Sequence, residues 1–192
     1  MRYNIAPLYC RPWTLNGITP RLIESHYEND YGNALNRLNV IAEELASLDP
    51  AATPAHAISR LKRDEVGALN STLLHELYFA SLGGDGRSVP EEMANAIARD
   101  FGSVLRWRKE FIALAESLAG GSGWVLLTYV PRDERLINHS STEHTQSISG
   151  GVPILAIAAA LALFRFKVGV IQTLLGCSIA GVLLLLAFGS VR

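Results

Sequence analysis

The chain has 192 residues, 17 Lys+Arg against 18 Asp+Glu, and a formal charge of −1. That balance excludes a nucleic-acid binder that works through bulk positive charge, and a hydrophobic fraction of 49% excludes a disordered chain. Two cysteines, Cys10 and Cys177, exclude a disulfide framework or a thiolate metal cluster.

The average hides a split. Residues 152–192 carry three charged residues, Arg165, Lys167 and Arg192, and no acid, and 29 of those 41 residues are apolar. Residues 1–151 are left with 14 basic and 18 acidic residues, a charge of −4. The N-terminal sequence MRYNIAPLYCRPW has no apolar core of the kind a secretory signal needs.

Residues 3–18 read as an irregular arm. Thr19-Pro20 is a helix start, a capping hydroxyl followed by proline at the first helical position. Apolar residues at 22, 23, 27, 31, 35, 38, 41 and 45 continue at helical spacing until Asp49-Pro50. A second helix is expected from about Thr53-Pro54 to Leu82, stopped by Gly83-Gly84. The short proline-containing link between the two predicts an antiparallel hairpin. Pro90 and Glu91-Glu92 open a third helix, broken near Phe101-Gly102-Ser103 and ending about Leu118.

The pattern then changes. Gly120–Gly123 reads as a turn, since it lacks the Lys-Ser/Thr of a phosphate loop and precedes a strand. Strands are expected at Trp124–Val130, Arg135–Ser141 and Val152–Ile157, with a turn at Pro131–Glu134. The expected class is α+β, with a helical hairpin domain at 1–85, a truncated α/β domain at 86–157 and an apolar tail at 158–192. Within the tail, residues 168–189 are 22 uncharged residues. As a helix they would reach about 33 Å, enough for a bilayer core of roughly 30 Å. They are read as a tail anchor that leaves the head in the cytoplasm; the alternative is a buried core helix.

Histidines are the main candidates for chemistry. His26 and His75 fall one on each leg of the hairpin, an arrangement that can bring two imidazoles to one metal ion. The Arg106, Trp107, Arg108 and Lys109 run reads as a solvated helix face, and His56 and His139 as surface residues.

Several ordered motifs resemble the iron/manganese superoxide dismutases. They are Ile23-Glu24-Ser25-His26-Tyr27, Asn70–Phe79 around His75, Asp100–Ser103, Lys109-Glu110-Phe111, Gly121–Trp124, Ser141–His144 and Gly151–Leu155. The resemblance spans about residues 3–156. It implies a three-stranded antiparallel sheet behind the hairpin and one Fe or Mn held by three histidines, an aspartate and solvent. The substrate implied is superoxide. His26 and His75 resemble two of the metal ligands, and Trp124 a wall of the metal cavity, or simply a core tryptophan. His144 resembles a group that bonds the metal's solvent, or else is a loop histidine.

The chain departs from that pattern in two places. The family's Asp-x-x-x-His motif, with a Glu just before the histidine, falls on Ala158, Leu161 and Ala162. The gateway tyrosine falls on Ala34; Tyr31, the nearest phenol, points about 60° away on a regular helix. Tyr31 takes that role only if the helix is locally distorted, and otherwise is core packing. With two of four ligands and the closing helices missing, the family's dimer interface is expected to be lost. Three accounts follow: an enzyme completed by a partner, a non-catalytic membrane-tethered relative, or a frameshifted or mis-spliced product.

Overall fold

The computed structural model describes residues 2–84, 89–118, 123–142 and 144, and the backbone of 152–158. The expected tail anchor, the glycine turn at 120–122, and Leu161 and Ala162 lie outside the described residues. No helix among the described residues is long and apolar enough to cross a membrane.

The first leg of the hairpin starts where Thr19 predicts. Its hydroxyl accepts from the Leu22 amide at 3.3 Å, and Pro20 opens α1 (Pro20–Ser25). The helix then runs through a π-helical turn, His26–Tyr31, before α2 (Gly32–Ser47). Sequence periodicity gave one unbroken α-helix here and no sign of the π turn. Asp49 closes the link to α3 (Ala55–Ala80), its carboxylate accepting from the Ala51 amide at 2.9 Å. His26 meets His75 and Arg37 meets Asp64, so the legs run antiparallel.

The third expected helix is two, α4 (Glu91–Phe101) and α5 (Val104–Ser117). Gly102 caps α4 at φ +85°, a left-handed conformation that glycine adopts without steric cost. Ser103 then caps α5 through its hydroxyl, which accepts from the Arg106 amide at 3.1 Å. Asp100 ties α4 to the sheet by accepting from the Leu136 amide at 2.7 Å.

Strands β1 (Trp124–Val130), β2 (Arg135–Ser141) and β3 (Val152–Ala158) form an antiparallel sheet in the order β2-β1-β3. The first five residues of β1 are all buried, as suits a central strand with both faces covered. Thr128 pairs with Pro153 and Leu127 with Leu155, which leaves Ile154 as an extra residue in the edge strand. A bulge on an edge strand is where a proline, lacking its N–H, is tolerated. At the other end of the strand, Ala158 stands opposite Trp124.

One hydrophobic cluster joins the hairpin to the sheet. It runs from Ile23, Leu74 and Phe79 through Met93, Ile97, Trp107 and Phe111 to Val125 and Leu126. Trp107 corrects the reading of residues 106–109 as a solvated face. Its ring is 1% exposed, and its indole N–H donates to Asn138 Oδ1 at 2.9 Å, while Arg106 and Lys109 remain outside. His139 is likewise half-buried, 3.3 Å from the Thr128 hydroxyl, whereas His56 is exposed as expected.

Candidate metal centre

The π turn begins on His26, and α3 presents His75 to it. The two ring centres lie 5.0 Å apart at 79°, and both side chains are buried. A metal bound about 2.0–2.1 Å from a nitrogen of each ring would lie about 3 Å from each ring centre. Centres 5.0 Å apart then correspond to a bent, near-tetrahedral angle at the metal, and not to a linear bridge. The spacing therefore fits two imidazoles sharing one ion.

The rings are oriented differently. Ser71 carbonyl lies 2.7 Å from His75 Nδ1. A carbonyl only accepts, so Nδ1 carries the proton and Nε2 keeps its lone pair, the usual device for orienting a ligand histidine. His26 Nδ1 is buried with no hydrogen-bond partner among the described residues, and so is the Tyr78 hydroxyl. Those two rings lie 5.1 Å apart.

The surroundings are aromatic. Phe79 lies 5.4 Å from His26, and Trp124 meets His75 edge-on at 5.1 Å. His144 lies with its ring nearly parallel to that of His75, their centres 6.4 Å apart at 17°. Its carbonyl accepts from Asn70 Nδ2 at 2.6 Å, which pins this segment to α3. The structure thus brings His26, His75, Trp124 and His144 together.

Burial lowers the pKa of His26 and of His75 from 6.5 to about 4; for His75 the bond to Ser71 opposes the shift in part. Both rings are neutral near pH 7, with lone pairs available. This has a consequence for stability. Between about 4 and 6.5 the unfolded chain binds more protons than the folded one, so stability rises with pH across that window. The contribution is complete above 6.5 and is lost as pH falls through about 4. Urea unfolding midpoints are expected to drop steadily from pH 6.5 to 4, and less steeply in H26Q/H75Q. A midpoint flat across that window would contradict the burial of these rings.

Tyr31 is placed by the π turn. Its ring stacks over His75 at 6.2 Å and 25°. Its hydroxyl donates to Glu76 Oε1 at 2.9 Å and accepts from the Ala6 amide at 2.7 Å. Burial, and then Glu76, push its pKa up to about 12. Tyr27 donates to the Ala6 carbonyl at 2.6 Å, so two phenols hold both main-chain polar groups of Ala6 against the hairpin. Sequence reasoning missed Glu76 and Ala6; no spacing marks either. Ala34, at the expected gateway position, lines a cavity of about 470 Å³ with Asp30, Arg37, Arg63, Ser71 and His144.

The remaining donors are missing. Among the described residues no group of three or more His, Cys, Asp or Glu converges to hold a metal. The position expected to carry the carboxylate is Ala158, and a methyl group donates nothing. Two of the four expected protein donors therefore fit a mononuclear centre and two do not.

The family model for the C-terminal domain of iron/manganese superoxide dismutases matches residues 89–159. The iron superoxide dismutase of Cupriavidus metallidurans is 52% identical over 157 residues, 82% of this chain and 79% of the relative. The manganese superoxide dismutase of Haloarcula marismortui is 31% identical over 76% of this chain and 73% of its own length. For manganese superoxide dismutase 1 of Halobacterium salinarum the identity is 30%, over 81% and 77%.

Proposed function

This chain belongs to the iron/manganese superoxide dismutases, and on that premise we propose that it carries the family's scaffold with half of the metal's ligand set. The family's cofactor is Fe or Mn. His26 and His75 are two of its ligands here. Trp124 walls the cavity, and Tyr31 and His144 flank His75 as outer groups that touch the ligands rather than the metal. The reaction the scaffold serves converts two superoxide ions and two protons to oxygen and hydrogen peroxide. The metal, when bound, supplies the electron exchange between them.

One observation carries the conclusion about this chain: alanine stands where the resemblance puts the carboxylate, at the end of a strand paired antiparallel with β1. Two neutral imidazoles provide no negative charge to offset that of the ion, and Mn favours carboxylate and carbonyl oxygen. The chain as it stands is therefore not a competent dismutase unaided. The test is the superoxide-consuming activity of the full chain, purified in detergent and supplied with Fe or Mn. Its rate is expected to be at least ~100-fold below that of the Cupriavidus metallidurans enzyme, since losing even an outer-shell partner costs ~10–100-fold in metal affinity or activity. A comparable rate would overturn the reading and favour ligands supplied by a partner.

A second reading is favoured by where the family match ends, at residue 159, inside the ligand motif. On that reading residues 160–192 arise from a shifted frame or altered splicing. Sequencing the transcript across codons 150–165 tests it, and a message with Asp-x-x-x-His in another frame would establish it. If the tail is genuine, its uncharged residues 168–189, with Arg165 and Lys167 on the head side, support a tail anchor with a cytoplasmic head. Recovery in the soluble fraction after carbonate extraction would remove that anchor. The same loss of the closing segment predicts a monomer in place of the family's dimer.

A further inference from the structure

The half-site that remains is itself a binding site of definite chemistry, and this inference rests on the reading just given. We propose that His26 and His75 bind a late divalent cation, Zn2+ or Cu2+, in preference to Fe2+ or Mn2+.

The argument starts from the donor set. The pair is all imidazole, because Ala158 supplies no oxygen and no group of three or more His, Cys, Asp or Glu converges among the described residues. Imidazole suits copper, zinc and iron, while Mn2+ favours carboxylate and carbonyl oxygen, so the preference over Fe2+ rests on the order of affinities. For any fixed nitrogen donor set, affinity rises from Mn2+ through Fe2+ to Cu2+, with Zn2+ below copper. The aspartate of the complete motif favours the early metals, and its absence removes that bias.

Geometry supports an ion over a plain histidine contact. The 5.0 Å ring separation matches a bent pair of bonds, leaving open positions that water can fill. His75 is already turned, with Nδ1 committed to Ser71 and Nε2 free. His26 Nδ1 is buried with no partner among the described residues, a polar cost that a metal bond at that nitrogen would offset.

The full chain, stripped with a chelator and held in detergent, is offered Cu2+, Zn2+, Mn2+ and Fe2+ separately at one equivalent and then desalted. The expected result is close to one Cu2+ or Zn2+ per chain, and little Mn2+ or Fe2+. That retention should be lost in H26Q and in H75Q. Because loss of a buried ring can unfold either variant, electron paramagnetic resonance of the Cu2+-loaded native chain decides independently. Its nitrogen coupling should count two imidazoles. A different count, or retention unchanged in folded variants, would overturn the inference. Retention of no metal would overturn it while leaving the proposed function standing. Mn2+ or Fe2+ held at one per chain would overturn both.

Discussion

Replacing Ala158 by Asp and Ala162 by His together is expected to raise the chain's affinity for Mn2+ by at least ~100-fold, since removing an outer-shell partner alone costs ~10–100-fold. The single change A158D should account for much of this. Its backbone site is defined: Ala158 pairs with Trp124, whose ring meets the edge of His75 at 5.1 Å. A carboxylate introduced there adds the negative charge that the two imidazoles lack, and it adds the oxygen donor that Mn2+ favours. A competition titration against a chelator of known affinity measures the gain. An affinity unchanged in the folded double variant would mean that the ligand motif does not map onto 158 and 162.

The second large effect concerns the scaffold. Trp107→Ala is expected to cost about 4 kcal/mol of folding stability, the usual range for emptying a buried aromatic site. The ring is 1% exposed and packs against Phe111, its centre 5.6 Å away. Its indole N–H fills Asn138 Oδ1, and Asn138 in turn donates to Glu110 at 3.0 Å. Removal therefore leaves both a void and a broken chain of hydrogen bonds between α5 and β2. A domain is typically stable by only ~5–15 kcal/mol, so this is a large share. Trp107→Phe keeps most of the packing and should lose about 1–2 kcal/mol through the unpaired Asn138. Urea denaturation of the three proteins checks the order. A loss below about 1 kcal/mol for the alanine variant would contradict the placement of Trp107 in the core.

Much of this fold was legible because its punctuation is local. Thr19-Pro20, the Gly102-Ser103 break and the Pro131–Glu134 turn each act through their own backbone and capping chemistry, and the elements begin and end where they stand. The β-rich run Trp124–Val130 marked a strand, and the structure adds that its first five residues are buried. The π turn was not legible, because apolar residues four apart, at 23, 27, 31 and 35, drift only about 40° per step on a regular helix and so also read as an ordinary broad apolar face. Yet it decides where Tyr31 points: the distortion that a role for Tyr31 requires is present, and the ring comes to lie over His75. Trp107 misled because its neighbours Arg106, Arg108 and Lys109 are basic, and a helix face is set by every third or fourth residue rather than by adjacent ones.

At the site, the two histidines were visible in the sequence as a pair on opposite legs, and the antiparallel hairpin brings them together. The bonds that orient the site were not visible. Ser71 holds His75 through a main-chain carbonyl, and Ala6 holds Tyr31 through its amide and Tyr27 through its carbonyl. Backbone groups carry no side-chain signature, so only the three-dimensional arrangement reveals them.

On the proposed reading this scaffold offers Fe or Mn two ligands, His26 and His75, with no group of three or more His, Cys, Asp or Glu converging among the described residues. Counting metal atoms per chain tests it most directly, by elemental analysis of full-length protein produced with excess Fe or Mn and then desalted. The account predicts iron and manganese well below one atom per chain. One tightly held atom of either metal in every chain would contradict it.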